Sequence, residues 1–174
     1  MRQISDAGLD LIKSFEGLRL DAYQDGGGVW TIGWGHIEGV EKGQRVTEHQ
    51  ATELLRADLG SAEMCVNLRA PHLNQNQFDA CVSLVFNIGC AAFNSSTLLR
   101  MIRTGDYNAA SAQFMRWVHD NGQFVQGLKN RRERERSLFD GPAPPDFSNV
   151  VSGGETTAAG DAEYPDSVKQ TNGN

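Results

Sequence analysis

FEGLRLDAYQDGGGVWTIGWGH runs from Phe15 to His36 and decides how the rest of the chain is read. Upstream, Ser5 is placed as an N-cap, and Leu9, Ile12 and Phe15 recur on one helical face after it. Gly17 is suited to a C′ stop. This puts Glu16 in the last turn of a short helix. Leu18 to Tyr23 alternates with period two, Gly26-Gly27-Gly28 makes a turn, and Val29 to Trp34 is rich in β-formers, so the segment predicts a hairpin.

Three side chains in this stretch carry chemistry. Glu16 sits where the helix carbonyls disfavour a second negative charge, and Phe15 beside it adds an apolar surface. Both favour a protonated carboxyl, as a general acid requires. Asp25 precedes the glycine run, and Thr31 lies on the returning strand. Singly, each has a plain structural explanation: a surface Glu, a turn Asp, a strand Thr. Together they place an acid on one side of a site and a carboxylate with a hydroxyl on the other. That division suits glycoside hydrolysis, in which one carboxyl protonates the leaving oxygen and the other group activates water on the opposite face.

Working outward, Thr47 and Asn74 each begin a capping-box spacing. The first opens a helix to about Asn67. The second opens one with Phe78, Cys81, Val82, Val85 and Phe86 on its apolar side. Further helices are expected over Ser96–Arg103, after Asp106 with Phe114 and Trp117 on it, and over Gly127–Phe139. The fold class is α+β, with a small N-terminal antiparallel sheet lobe, a mainly helical C-terminal lobe and an active-site cleft between them. Residues 1–140 read as the catalytic domain. Residues 141–174 hold four of the five prolines and five acids against one lysine, and read as a flexible acidic tail.

The chain of 174 residues carries a net charge of −6, of which the tail contributes −4. The nearly balanced body does not suggest a nucleic-acid binder. No apolar run reaches membrane-spanning length and no signal peptide is visible. Cys65, Cys81 and Cys90 form no metal-binding spacing and read as free, buried thiols of a reducing compartment.

The opening stretch resembles the signature of the phage-type lysozymes, the endolysins of glycoside hydrolase family 24: a Glu-Gly at a helix end, Tyr-x-Asp, a glycine turn and Thr-Ile-Gly-aromatic-Gly-His. The similarity continues in FNIGCAAFNSSTLLRMIRTGDYNAASAQFMRW (86–117) and GLKNRRERERSLF (127–139), covering about residues 4–140. It implies a lysozyme-like fold and a muramidase that cleaves the β-1,4 bond between N-acetylmuramic acid and N-acetylglucosamine with inversion. By position, Glu16 would be the proton donor, and Asp25 and Thr31 would hold or activate the water. Inversion implies carboxyls about 6.5–9.5 Å apart. No metal or organic cofactor is implied.

His36 is expected to pin the ribbon to the helical lobe. Trp30 and Trp34 either line a sugar face or pack in the core. Phe86 and Asn87 match a cleft-facing stretch, with Asn87 either bonding a sugar acetamide or ending a helix. Arg131 and Arg132 either reach the cleft, pairing with Glu16 or a peptide-stem carboxylate, or belong to a solvated helix face. The partner is bacterial peptidoglycan, with no nucleic acid and no membrane surface. The expected protein is a monomer made in the host cytoplasm that reaches the wall through a separate holin, without direct contact to it. Two other classes fit less well: a wall-binding module without activity, and a lytic transglycosylase, which needs no water-holding Asp.

Overall fold

The computed structural model describes residues 1–142. The elements in chain order are α1 (Asp6–Lys13), β1 (Arg19–Gln24), β2 (Trp30–Gly33), α2 (Glu48–Arg69), α3 (Gln75–Ile88), α4 (Cys90–Asn94), α5 (Thr97–Arg103), α6 (Tyr107–Gln113), a 3₁₀ turn (Phe114–Arg116), β3 (His119–Asp120), β4 (Gln123–Phe124) and α7 (Gln126–Asp140). The described residues, 1–142, belong to one compact unit. From residue 143 onward, the reading of 141–174 as a tail lies outside the described residues.

α3 is the axis of the helical lobe. Its residues from Gln77 to Val85 are all buried, so it is surrounded on every side rather than amphipathic. α7, α2 and α1 pack around it. Phe78, Val82 and Leu84 meet Leu9, Ile12, Leu55, Leu59, Phe93, Phe114 and Phe139 in one core. Both expected capping boxes form: Thr47 with Gln50 opens α2, and Asn74 with Gln77 opens α3. α1 is fixed at its start, where Ser5 caps Gly8 while its own amide and hydroxyl donate to the buried carboxylate of Asp79 on α3. Burial pushes the Asp79 carboxyl up, and the Ser5 and Gln75 bonds oppose that shift.

β1 and β2 pair antiparallel, with Tyr23 opposite Thr31 and Gln24 opposite Trp30. Gly33 ends β2 with φ +66° against α2. A Cβ there would lie 3.1 Å from that of Ala51, so only glycine allows this approach.

Several expectations need correction. α1 ends at Lys13 with Ser14 as its C-cap, so Glu16 lies in the turn beyond the helix, although its amide still reaches Ile12 O at 3.2 Å. Gly17 is not the left-handed C′ residue. Trp117 lies past the 3₁₀ turn rather than on α6. Cys65 and Cys90 are not free thiols: they form a disulfide joining α2 to α4, with Cα atoms 6.0 Å apart. Cys81 alone matches the reading, buried and free, with its thiol pushed up by burial and further by nearby Glu135.

Candidate active site

The turn after α1 delivers Glu16 beside α7. Arg131 Nη1 donates to Glu16 Oε1 at 3.0 Å, and the Arg131 guanidinium lies 5.0 Å from the centre of the Phe15 ring. Glu16 is 28% exposed and Arg131 only 8%, so the acid reaches solvent while its partner is held inside. Oε2 of Glu16 has no hydrogen bond to protein among the described residues.

Asp25 and Thr31 are joined through one peptide. The Asp25 Oδ1 accepts from the amides of Gly27 at 2.9 Å and Val29 at 2.8 Å, which fixes the carboxylate in the hairpin turn. The Val29 carbonyl accepts from the amide of Asp25 at 3.0 Å and from Thr31 Oγ1 at 3.2 Å. The Thr31 hydroxyl, with its hydrogen given to Val29, keeps its lone pairs as acceptors. Asp25 is exposed and Thr31 is buried at 4%. The structure therefore assembles two subsets, Glu16 with Arg131 and Asp25 with Thr31. No hydrogen bond or ion pair links them among the described residues.

His36 ties the hairpin to α2, as expected. Its Nδ1 is 2.9 Å from Asp58 Oδ1, and its Nε2 is 2.9 Å from the Glu38 carbonyl. Both ring nitrogens are committed, so it is a strut rather than a reagent. Trp34 packs against the helical core, its Nε1 buried without a protein partner, and the Lys13 amine sits 5.5 Å from the ring centre. Phe86 is partly buried against the same core. Asn87, exposed at the end of α3, lines a groove of about 400 Å³ with Ile88, Trp117, His119, Asp120 and Val125.

The KNRRERER run is only half a solvated face. Lys129 and Glu133 form an exposed pair one turn apart. Arg132 and Glu135, both fully buried, do not. Arg132 Nε lies 2.8 Å from Glu135 Oε2 and its Nη2 donates to Oε1 at 3.0 Å. Arg131 Nε donates to the same Oε1 at 3.2 Å, and Ser83 Oγ on α3 donates to it at 2.7 Å. Burial pushes the Glu135 carboxyl up, opposed by Arg132, Ser83 and Arg131; burial lowers Arg132.

Sequence reasoning missed Asp58 and Glu135, because nothing in a helical run of charges marks which ones turn inward. It also missed the β3–β4 hairpin beside the groove, though a signal existed. Asn121-Gly122 joins the two strands with φ of 47° and 77°, both positive as the tightest hairpin turn requires. Among the described residues no cluster of potential metal ligands occurs, and no helix is long and apolar enough to cross a membrane.

Residues 13–135, which span every candidate catalytic residue, match the family model for phage lysozyme. The chain belongs to the phage lysozyme family. The endolysin of Acyrthosiphon pisum secondary endosymbiont phage 1 is 46% identical over 143 residues, covering 79% of this chain and 97% of the relative. The muramidase domain of SpmX from Asticaccaulis excentricus superposes with a TM-score of 0.74 at 44% identity, covering 82% of this chain and all of that one. A mutant of the P22 lysozyme gives 0.73 at 42% identity, covering 80% and 99%. These are lysozyme-like structures, so the α+β class with a sheet lobe and a helical lobe stands. As a phage lysozyme, the chain is a glycoside hydrolase.

Proposed function

We propose that this phage lysozyme hydrolyses the β-1,4 bond from N-acetylmuramic acid to N-acetylglucosamine with inversion, using Glu16 as acid and Asp25 with Thr31 to activate water. Peptidoglycan is its substrate. The observation that carries the residue roles is the bonding of the two carboxylates. Glu16 has one oxygen held by Arg131 and the other unbonded within the protein. Asp25 has Oδ1 held by two amides, which leaves Oδ2 to accept from water. In the reaction, Glu16 gives its proton to the glycosidic oxygen. The water oxygen bonds to the anomeric carbon from the opposite face, and its proton passes to Asp25. The Thr31 hydroxyl accepts the second O–H and orients the water. Trp34, Phe86 and Asn87 are proposed to contact the glycan, with Asn87 supported by its place on the groove.

Glu16→Gln tests the acid role. Lysis of purified sacculi should fall by about 10²–10⁴-fold, the usual worth of general acid catalysis, while the melting midpoint stays put. Substantial retained turnover would remove Glu16 from the role. Mass spectrometry of the products separates hydrolysis from transglycosylation: an anhydromuramyl end would sink the hydrolase mechanism. A binding module without activity would give no new ends.

The enzyme is proposed to be a monomer, synthesised in the host cytoplasm and admitted to the wall by a holin that it need not touch. The disulfide refines this account. Cytoplasmic thiols are kept reduced, so Cys65 and Cys90 are proposed to remain thiols until release. There a disulfide oxidant takes their two electrons, and the two protons leave to solvent. The segment 141–174 is proposed to be dispensable for lysis.

A further inference from the structure

We propose that Glu135 is a positioning residue for the reaction: buried behind Arg131, it limits that arginine to a single contact with Glu16 and offsets one of the positive charges that α7 turns on the acid. The inference rests on Glu16 being the proton donor.

Arg131 and Arg132 together bring two positive charges to this end of α7, and Glu135 is the carboxylate that both of them share. With Glu135 ionised, this trio sums to one positive charge rather than two. Geometry adds to the charge effect. Arg131 has its Nε on Glu135 and its Nη1 on Glu16, while its remaining anchor, Nη2 to the Ser83 carbonyl, is long at 3.5 Å. Without Glu135, only the long bond to the Ser83 carbonyl opposes a two-pronged arginine–carboxylate pair on Glu16. Such a pair favours the ionised acid and occupies the oxygen that must reach the leaving group. Ser83 fixes the Glu135 carboxylate from α3, so the whole relay is built on the most buried helix of the fold.

The other charged groups around the relay are accounted for. Arg134 donates to Ser14 Oγ at 2.7 Å and lies over Phe15. Lys13 lies over Trp34. Cys81 is a neutral thiol on the α3 side. Arg136 and Asp140 turn to Ser111 on α6, and Arg116 of the 3₁₀ turn is exposed. All of these stay constant in the variants below.

The test is the pH profile of sacculus lysis by the full chain, with melting measured alongside. Glu135→Gln should move the alkaline limb down by about one pH unit, tenfold in rate at a fixed pH on that limb. Arg132→Met should move it up, because Glu135 then neutralises Arg131 alone. The double variant restores the wild-type charge sum, and its limb should lie between the two. Arg132→Met leaves Glu135 paired with Arg131, so it decides the matter even where Glu135→Gln does not fold; the double variant, in which the buried pair is replaced by uncharged groups as is often tolerated, is the charge-restored control. A merely structural role lowers rates without shifting limbs in opposite directions. A limb that coincides with wild type in either folded single variant overturns the proposal. Glu16→Gln keeps the two claims apart: retained lysis there removes the acid assignment, whereas lost lysis with unmoved limbs removes only the role of Glu135.

Discussion

Asp25 carries two duties that one substitution separates. Its Oδ1 holds the hairpin turn through two amides, and its Oδ2 is offered to water. Asp25→Asn keeps an amide oxygen for the turn but cannot take a proton. The expected result is a loss of about 10²–10⁴ in kcat with an unchanged urea midpoint; an unaltered kcat would assign water activation elsewhere. At this scale the hairpin was legible in the sequence, with Asp25 at its turn and Thr31 on its returning strand. The surroundings of Glu16 were not. Whether Arg131 points at Glu16 depends on how α7 rolls against α3, and Arg132 and Glu135 look like surface charges in RRERER although both are fully buried.

The elements hold the site through a few cross-links. His36 and Asp58 join the hairpin to α2 in a part-buried charged hydrogen bond. Asp58→Ala should cost about 1.5–3 kcal/mol, the range for hydrogen bonds to charged groups, read by urea unfolding; a loss near zero would mean that the hairpin needs no strut. The Cys65–Cys90 bond closes a segment of 25 residues. Chain entropy makes that worth about 3.5 kcal/mol, so reduced protein should unfold at lower urea than oxidised protein, and the Cys65→Ala/Cys90→Ala double variant should unfold at the same urea whether or not reductant is present. Capping boxes made α2 and α3 readable in the sequence. The disulfide was not readable, because two cysteines far apart in sequence and set in ordinary helical surroundings carry no spacing signal. α4 escaped because five residues show no periodicity, and α1 ran short because Ser14 caps it before Gly17 is reached.

For the whole molecule, the helical lobe follows from one fact: α3 is buried all round and the other helices must cover it. The sequence shows the apolar residues of α3 but not the surrounding packing, which turns Gln77, Asp79 and Ser83 inward as well. Truncation after Pro144 keeps the Asn76 bond to the Pro142 carbonyl, and it should leave both lysis and melting unchanged; a fall in lysis alone would give the last thirty residues a role on the wall. The account as a whole turns on water arriving opposite Glu16. The most direct measurement is the anomeric configuration of the newly formed N-acetylmuramic acid end, followed by NMR within minutes of cleavage and before mutarotation. The α-anomer is predicted from the β-linked substrate, and initial release of the β-anomer would contradict the mechanism.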